Sequence, residues 1–298
     1  MKTFNIKQFG LLLFTVLISV NQLIAQSPKL VLVSGGTFKM GSNIPDPDGL
    51  GDEKPVHTVT VTDFYIGETE VTVAEYQLFS KATGTAMPSA PDAEWWESHA
   101  DTKKFYNNPA KTWWGFQPNY PMFSVTWEQA AQYCNWLSKK EGLPECYKKN
   151  ADGGWDTDIT KKGYRLPTEA EWEFAARGGN SSKGFKYSGS NSLSEVAWYD
   201  ETTAYAGPQN VKTKKANELG LYDMSGNVWE WCSDYYSSGF YAKSEGKTNP
   251  FNNVSQSYRV IRGGAWHYQG SYATLTSRDG PELAYTNYNY GFRLAHTK

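Results

Sequence analysis

The chain has 298 residues with 29 Lys and Arg against 31 Asp and Glu, a formal charge of −2, which excludes a polyanion-coating protein. Its 12 Trp, 20 Tyr and 14 Phe can fill a sizeable core, which excludes global disorder. Three Cys are too few for a disulfide scaffold of this length, and 14 Pro with 27 Gly exclude a collagen-like or Pro-rich linker.

Lys2 and Lys7 precede an apolar run from Phe9 to Val20, and Leu23-Ile24-Ala25 ends in a small residue before Gln26. The run falls short of the roughly 20 residues of a membrane span and has the pattern of an export signal cleaved after Ala25. Residues 1–25 are expected to be a signal peptide and 26–298 a single mature domain, periplasmic or secreted. The competing reading is an uncleaved anchor. Cleavage removes two lysines and no acid, which moves the charge from −2 to −4. Oxidising conditions after export make Cys134–Cys146 a candidate disulfide with Cys232 left over. The other reading is three small buried apolar residues.

Val31 to Met40 reads as strand, Gly-Gly turn and strand, and 43–54 as an acidic turn-rich loop. His57 to Thr62 alternates with period two, which predicts a strand. Thr72-Val-Ala-Glu75 is a capping box, so a helix is expected to start there and end before Gly84. Ala86 to Tyr120 is long, irregular and rich in Trp (Trp95, Trp96, Trp113, Trp114). Thr126-Trp-Glu-Gln129 opens a second helix to about Lys140, stopped by Gly142 and Pro144. Thr168-Glu-Ala-Glu171 opens a third, ended by Gly178-Gly179. Beyond it, turns and short strands are expected within 220–231, 258–266 and 290–295. Without repeats or linkers, this is an α+β chain of few helices, short strands and many loops.

Four segments stand out in order. They are Gly35-Gly-Thr-Phe38 with Met40-Gly41, Gly163 to Gly179 (GYRLPTEAEWEFAARGG), Gly220 to Trp231 (GLYDMSGNVWEW), and Arg259 to Trp266 (RVIRGGAW) with Gly291-Phe-Arg-Leu-Ala295. In this order they resemble the formylglycine-generating enzyme, or sulfatase-modifying factor, family across the mature chain. The resemblance implies an irregular C-type-lectin-like α+β domain.

The family's named reaction oxidises a cysteine in a sulfatase Cys-x-Pro-x-Arg motif with oxygen and copper. It uses two thiolates five residues apart, the soft ligands that select Cu(I). Here that stretch is Tyr268-Gln-Gly-Ser-Tyr-Ala273, so Tyr268 and Ala273 occupy the two cysteine positions. The resemblance therefore carries over the fold and not the copper chemistry. It also implies a structural calcium ion held by Asp223 and Glu230 through carboxylates and by Gly226 and Val228 through carbonyls, within the oxygen-ligand preference of that ion. A second calcium site near 195–210 is left open.

The four His residues show no metal-ligand spacing. His57 is expected to be structural, His99 solvated and His296 part of a frayed terminus. His267 adjoins the first cysteine position and is the candidate base or ligand, although a lone His gives an iron-oxygenase reading little support. Arg165 is expected to be a buried ion-pair partner. By resemblance, the C-terminal aromatics Trp266, His267, Tyr268, Tyr272, Tyr285 and Tyr288 lie at the peptide pocket. Trp229, Trp231 and Trp266 also read as core, because they sit inside the shared motifs. The function expected from these residues is binding of a peptide, glycan or partner protein by a calcium-stabilised domain. The alternative is an oxidoreductase, either a non-haem metal oxygenase or a residual sulfatase-maturation enzyme.

Overall fold

A computed structural model of the chain describes residues 28–44, 51–89, 115–151, 153–203, 206–282 and 284–298. The expected signal peptide, His99 and the four tryptophans of the long loop lie outside them. The cysteines, the calcium-motif residues and the aromatic-site residues lie within them.

The three capping boxes form as read. α1 spans Val73–Thr83, α2 Trp127–Lys140 and α3 Glu169–Ala176. In each, the Thr hydroxyl accepts the N3 amide while the N3 side chain accepts the Thr amide. This satisfies two otherwise orphaned donors, and loss of such a cap costs about 1 kcal/mol. Gly84 closes α1 in the left-handed region, at φ 76°, where a Cβ would be strained. After α3 the described residues hold only short helices, single α-turns at Leu193–Val196, Asp200–Thr203 and Tyr241–Ser244 and 3-10 turns at Gly179–Ser181 and Gly270–Ala273.

Strands β1 (Leu30–Val33) and β2 (Gly36–Met40) flank the Gly-Gly turn but do not pair with each other. β1 lies antiparallel to β4 (Phe64–Gly67), and β2 to β3 (His57–Val61), whose alternate residues His57, Val59 and Val61 are buried. β5 (Tyr147–Lys149) and β6 (Trp155–Thr157) form a hairpin. With β7 (Tyr164–Arg165) and β12 (Ala295–Thr297), one sheet runs β1-β4-β12-β7. His296 is therefore not in a frayed terminus. Its strand is paired on both sides, and its ring packs between Tyr65 at 5.9 Å and Tyr164 at 5.6 Å.

The second sheet runs β10-β9-β8-β11, from Arg278–Asp279, Arg259–Arg262, Trp229–Tyr235 and Tyr290–Gly291. Its pairs are antiparallel except β8 with β11. Register places Glu230, Arg262 and Arg278 in one row across three strands, and Trp231, Ile261 and Asp279 in the next. Paired residues share a face and adjacent rows alternate, so the sheet has one ionic and one aromatic side. On the ionic side α3 supplies the partners. Arg278 binds the Glu169 carboxylate at 2.7 and 2.8 Å, and Arg262 binds Glu173. Arg293 grips Glu230 with two bonds of 2.6 Å, and the Trp172 indole donates to the same carboxylate at 2.7 Å. On the other side Trp229, Trp231 and Ile261 join Trp127 of α2 in the main core.

Arg165 is the buried ion-pair partner expected, held by Glu171 through two 2.7 Å bonds. Cys134, Cys146 and Cys232 are buried free thiols. Among the described residues no helix is long and apolar enough to cross a membrane.

Candidate ligand and cation sites

The segment that carries Tyr268 and Ala273 hangs from the Gly263-Gly264 turn after β9. Both glycines have positive φ, 100° and 77°, and a Cβ on Gly264 would lie 2.8 Å from the Tyr272 carbonyl oxygen. Only glycine lets the segment fold this closely onto its own turn. Ala273 is sealed in the interior, and Tyr268 is half-buried with its ring edge-on to Trp229 at 5.7 Å and to Tyr272 at 5.3 Å. His267 lies between the rings of Trp266 at 4.5 Å and Tyr268 at 4.8 Å. Tyr285 is half-exposed and packs on Tyr290 at 5.9 Å. These rings form one aromatic site above Trp229 and Tyr290.

Two residues expected in the pocket lie at its buried edge. Trp266 is fully buried in a small cluster with Phe123 and Val228, and Tyr288 packs against that cluster while its carbonyl accepts from the Trp266 indole at 3.1 Å. Trp266 is thus core, because its ring packs on Phe123 and Val228 and exposes none of its surface.

The polar groups of the aromatic site came from residues not singled out for it. Trp229 is buried, yet its indole N–H has no hydrogen-bond partner among the described residues. Asn289 is also buried, and its amide lies beside the Tyr268 hydroxyl without completing a well-formed bond at either atom. Both are held rigidly, since the Trp229 amide donates to the Asn289 carbonyl at 2.7 Å. Burial pushes the Tyr268 phenol up to about 12 and the Tyr290 phenol still higher, with the Asp279 charge adding to both. Both phenols therefore remain protonated donors. Unsatisfied buried donors beside aromatic rings are what a ligand carrying acceptors would complete. A signal for Asn289 existed in the sequence, since it directly precedes the Tyr290-Gly-Phe-Arg motif.

The loop that bears Asp223 is backbone-strained. Asp223, Gly226 and Asn227 all have positive φ, at 58°, 88° and 62°. A Cβ on Gly226 would sit 2.3 Å from the Trp198 carbonyl oxygen. Asp223 Oδ2 accepts the Lys212 amide at 2.7 Å, while its Oδ1 is buried with no partner. Glu70, at the entry to α1, points its carboxylate into the same place. Its Oε1 is likewise buried and unpartnered, and its Oε2 has only a 3.4 Å contact from the Asn227 amide. Burial, and for Glu70 the Asp223 charge next, raise both carboxyls, Asp223 to about 6. Glu230 is committed to Arg293 and Trp172, and Val228 is buried beside it. Orphaned oxygens on Asp223 and Glu70 suit a hard cation completed by backbone carbonyls. The sequence reading did not pick out Glu70 as a ligand. Among the described residues no three His, Cys, Asp or Glu side chains converge as a metal-binding group.

Residues 18–298 match the family model described as Sulfatase-modifying factor enzyme 1-like domain. The chain belongs to the sulfatase-modifying factor family. It is 35% identical over 271 residues to "Chaperone protein LppX" of Paenibacillus barcinonensis, covering 80% of this chain and 79% of that protein. It is 29% identical over 314 residues to the "Formylglycine-generating enzyme" of Streptomyces coelicolor, covering 89% and 88%. Among solved structures, Treponema denticola variable protein 1 superposes with a TM-score of 0.70 at 30% identity, covering 90% of this chain and 95% of that one. The mixed fold of few helices and short strands is thus that of the sulfatase-modifying factors. In this member neither Tyr268 nor Ala273 carries a thiol.

Proposed function

We propose that this sulfatase-modifying-factor-like chain is an exported binding protein that holds a peptide or an extended segment of a partner protein on its aromatic site. The observation that carries the reading is the pairing of Tyr268 and Ala273, in place of thiols, with the unsatisfied Trp229 indole and Asn289 amide beneath the rings. An extended peptide presents backbone carbonyls and amides that match those groups, and aromatic rings bury much area at little entropic cost. The relative named as a chaperone is consistent with a protein ligand. Calcium held near Asp223 and Glu70, with the Gly226 and Val228 carbonyls contributing as the motif implies, would neutralise those buried carboxylates and rigidify the loop, while Glu230 stays with Arg293 and Trp172. The ion's part is structural.

The test uses mature protein, residues 26–298, loaded with calcium and panned against a displayed peptide library. Enriched peptides should bind the wild type and lose at least tenfold in affinity with Asn289→Ala or Tyr285→Ala, while folding is retained. In parallel, a Cys-x-Pro-x-Arg peptide is incubated with the protein, copper and oxygen. Its mass should stay unchanged. Formation of formylglycine would overturn the reading in favour of an oxidoreductase, and an absence of enriched peptides would remove the peptide-binding claim.

A further inference from the structure

Two of the three cysteines are brought together by a set of contacts independent of the aromatic site. Cys134 lies on the buried face of α2, and Cys146 lies just before β5. Their following neighbours are bonded to each other. The Asn135 amide donates to the Tyr147 carbonyl at 2.7 Å, and the Tyr147 amide donates back to Asn135 Oδ1 at 3.1 Å. The connecting loop is folded onto the end of the helix, with the Leu143 amide on the Ser138 carbonyl at 2.8 Å and the Ser138 hydroxyl on the Cys134 carbonyl at 2.9 Å. The Cys146 carbonyl is pinned from the other side by the Asp158 amide at 2.9 Å. Both thiols belong to the same core cluster. Cys232 belongs to the other cluster, with Trp172 and Val260 across the sheet.

We propose that Cys134 and Cys146 close to a disulfide that staples α2 to the β5 edge, with Cys232 remaining a thiol. The oxidant is a disulfide, either of a thiol oxidoreductase or of glutathione. One cysteine thiolate attacks it and expels a thiolate, leaving a mixed disulfide. The second cysteine then attacks its partner's sulfur and expels the other half. The two cysteines lose two electrons and two protons in total, and the donor disulfide is reduced to two thiols. Burial raises both thiols, Cys134 well above the ordinary thiol range, so the exchange belongs to folding, before the loop closes over them.

The experiment refolds the full chain with glutathione disulfide, then unfolds it and alkylates it without reductant. One cysteine, Cys232, should be modified, and digestion should yield a linked pair of peptides containing Cys134 and Cys146. Prior reduction should expose all three. Reductant should lower Tm of the oxidised protein by about 5–10 °C, as expected for closing a loop of roughly a dozen residues. Cys232→Ala should keep that response, and Cys134→Ala/Cys146→Ala should lose it. Three alkylated cysteines after oxidative refolding, or a bridge that includes Cys232, would overturn the proposal.

Discussion

Replacing Arg293 by Met would remove the cation that holds Glu230 in a fully buried position. Arg293 supplies two of the three donors to that carboxylate, at 2.6 Å each, and leaves only the Trp172 indole behind. Breaking one side of such a pair costs about 3–5 kcal/mol, because the remaining charge stays buried without compensation. The same guanidinium donates to the Gly67 and Tyr222 carbonyls at 3.0 and 2.9 Å, and their loss adds about 1 kcal/mol. At about 2–4 °C per kcal/mol for a domain of this size, Tm should fall by something on the order of 10–20 °C. Urea unfolding in excess chelator, followed by circular dichroism, gives the free energy directly, and the slope of the transition should not change. The double variant Glu230→Gln/Arg293→Met should be more stable than Arg293→Met alone, since it removes the stranded charge. A loss below about 1 kcal/mol for Arg293→Met, or a double variant as costly as the sum of the two single variants, would refute the pairing as a source of stability.

Two further outcomes are expected. Asp234 is buried, and burial with the Glu169 charge pushes its carboxyl up to about 7 from an ordinary value of 3.8, with two backbone amides only partly offsetting this. A raised folded-state value means the folded chain holds a proton that the unfolded chain releases. The stability so gained is complete below about pH 4 and is lost as pH rises to about 7. Asp234→Asn should flatten that part of a stability profile measured by urea midpoints, and an unchanged slope would refute it. In the second, calcium at about a hundred times its Kd should stabilise the wild type by about 2.7 kcal/mol. Asp223→Asn and Glu70→Gln should each abolish that response in a thermal melt with and without chelator. A full calcium response in either variant would remove that residue from the site.

What was legible in the sequence followed the range of the interaction. The capping boxes depend on groups three residues apart, and all three helices begin where Thr72, Thr126 and Thr168 place them. The architecture was reached through long ordered motifs, not through strand patterns. β7, β10 and β11 are two residues long and too short to alternate visibly. The His296 strand was hidden for the same reason, since its burial comes from partners more than a hundred residues away. In the candidate sites, the turn at Asp223 and Gly226 was readable because the motif is contiguous. Glu70 was not, because the only sign of its role is that the fold buries it beside Asp223. Trp266 looked like both core and pocket, and packing alone places it in the core. Asn289 was overlooked because its one mark is its place directly before the Tyr290-Gly-Phe-Arg stretch, and a single amide has no period of its own.

The division of the second sheet into an ionic and an aromatic side has a consequence for which parts of this chain can change. The residues that lock the frame (Glu230, Arg262, Arg278 and their partners on α3) lie on the opposite side of the sheet from Trp229, on which Tyr268 packs. The Tyr268–Ala273 segment is a short appendage on a glycine turn. Arg262 reaches only backbone just past it, the Leu275 and Thr276 carbonyls at 2.9 and 2.8 Å, so side chains in the segment can change while the charges keep their partners. The side chains it presents are then a detachable fitting on a fixed frame.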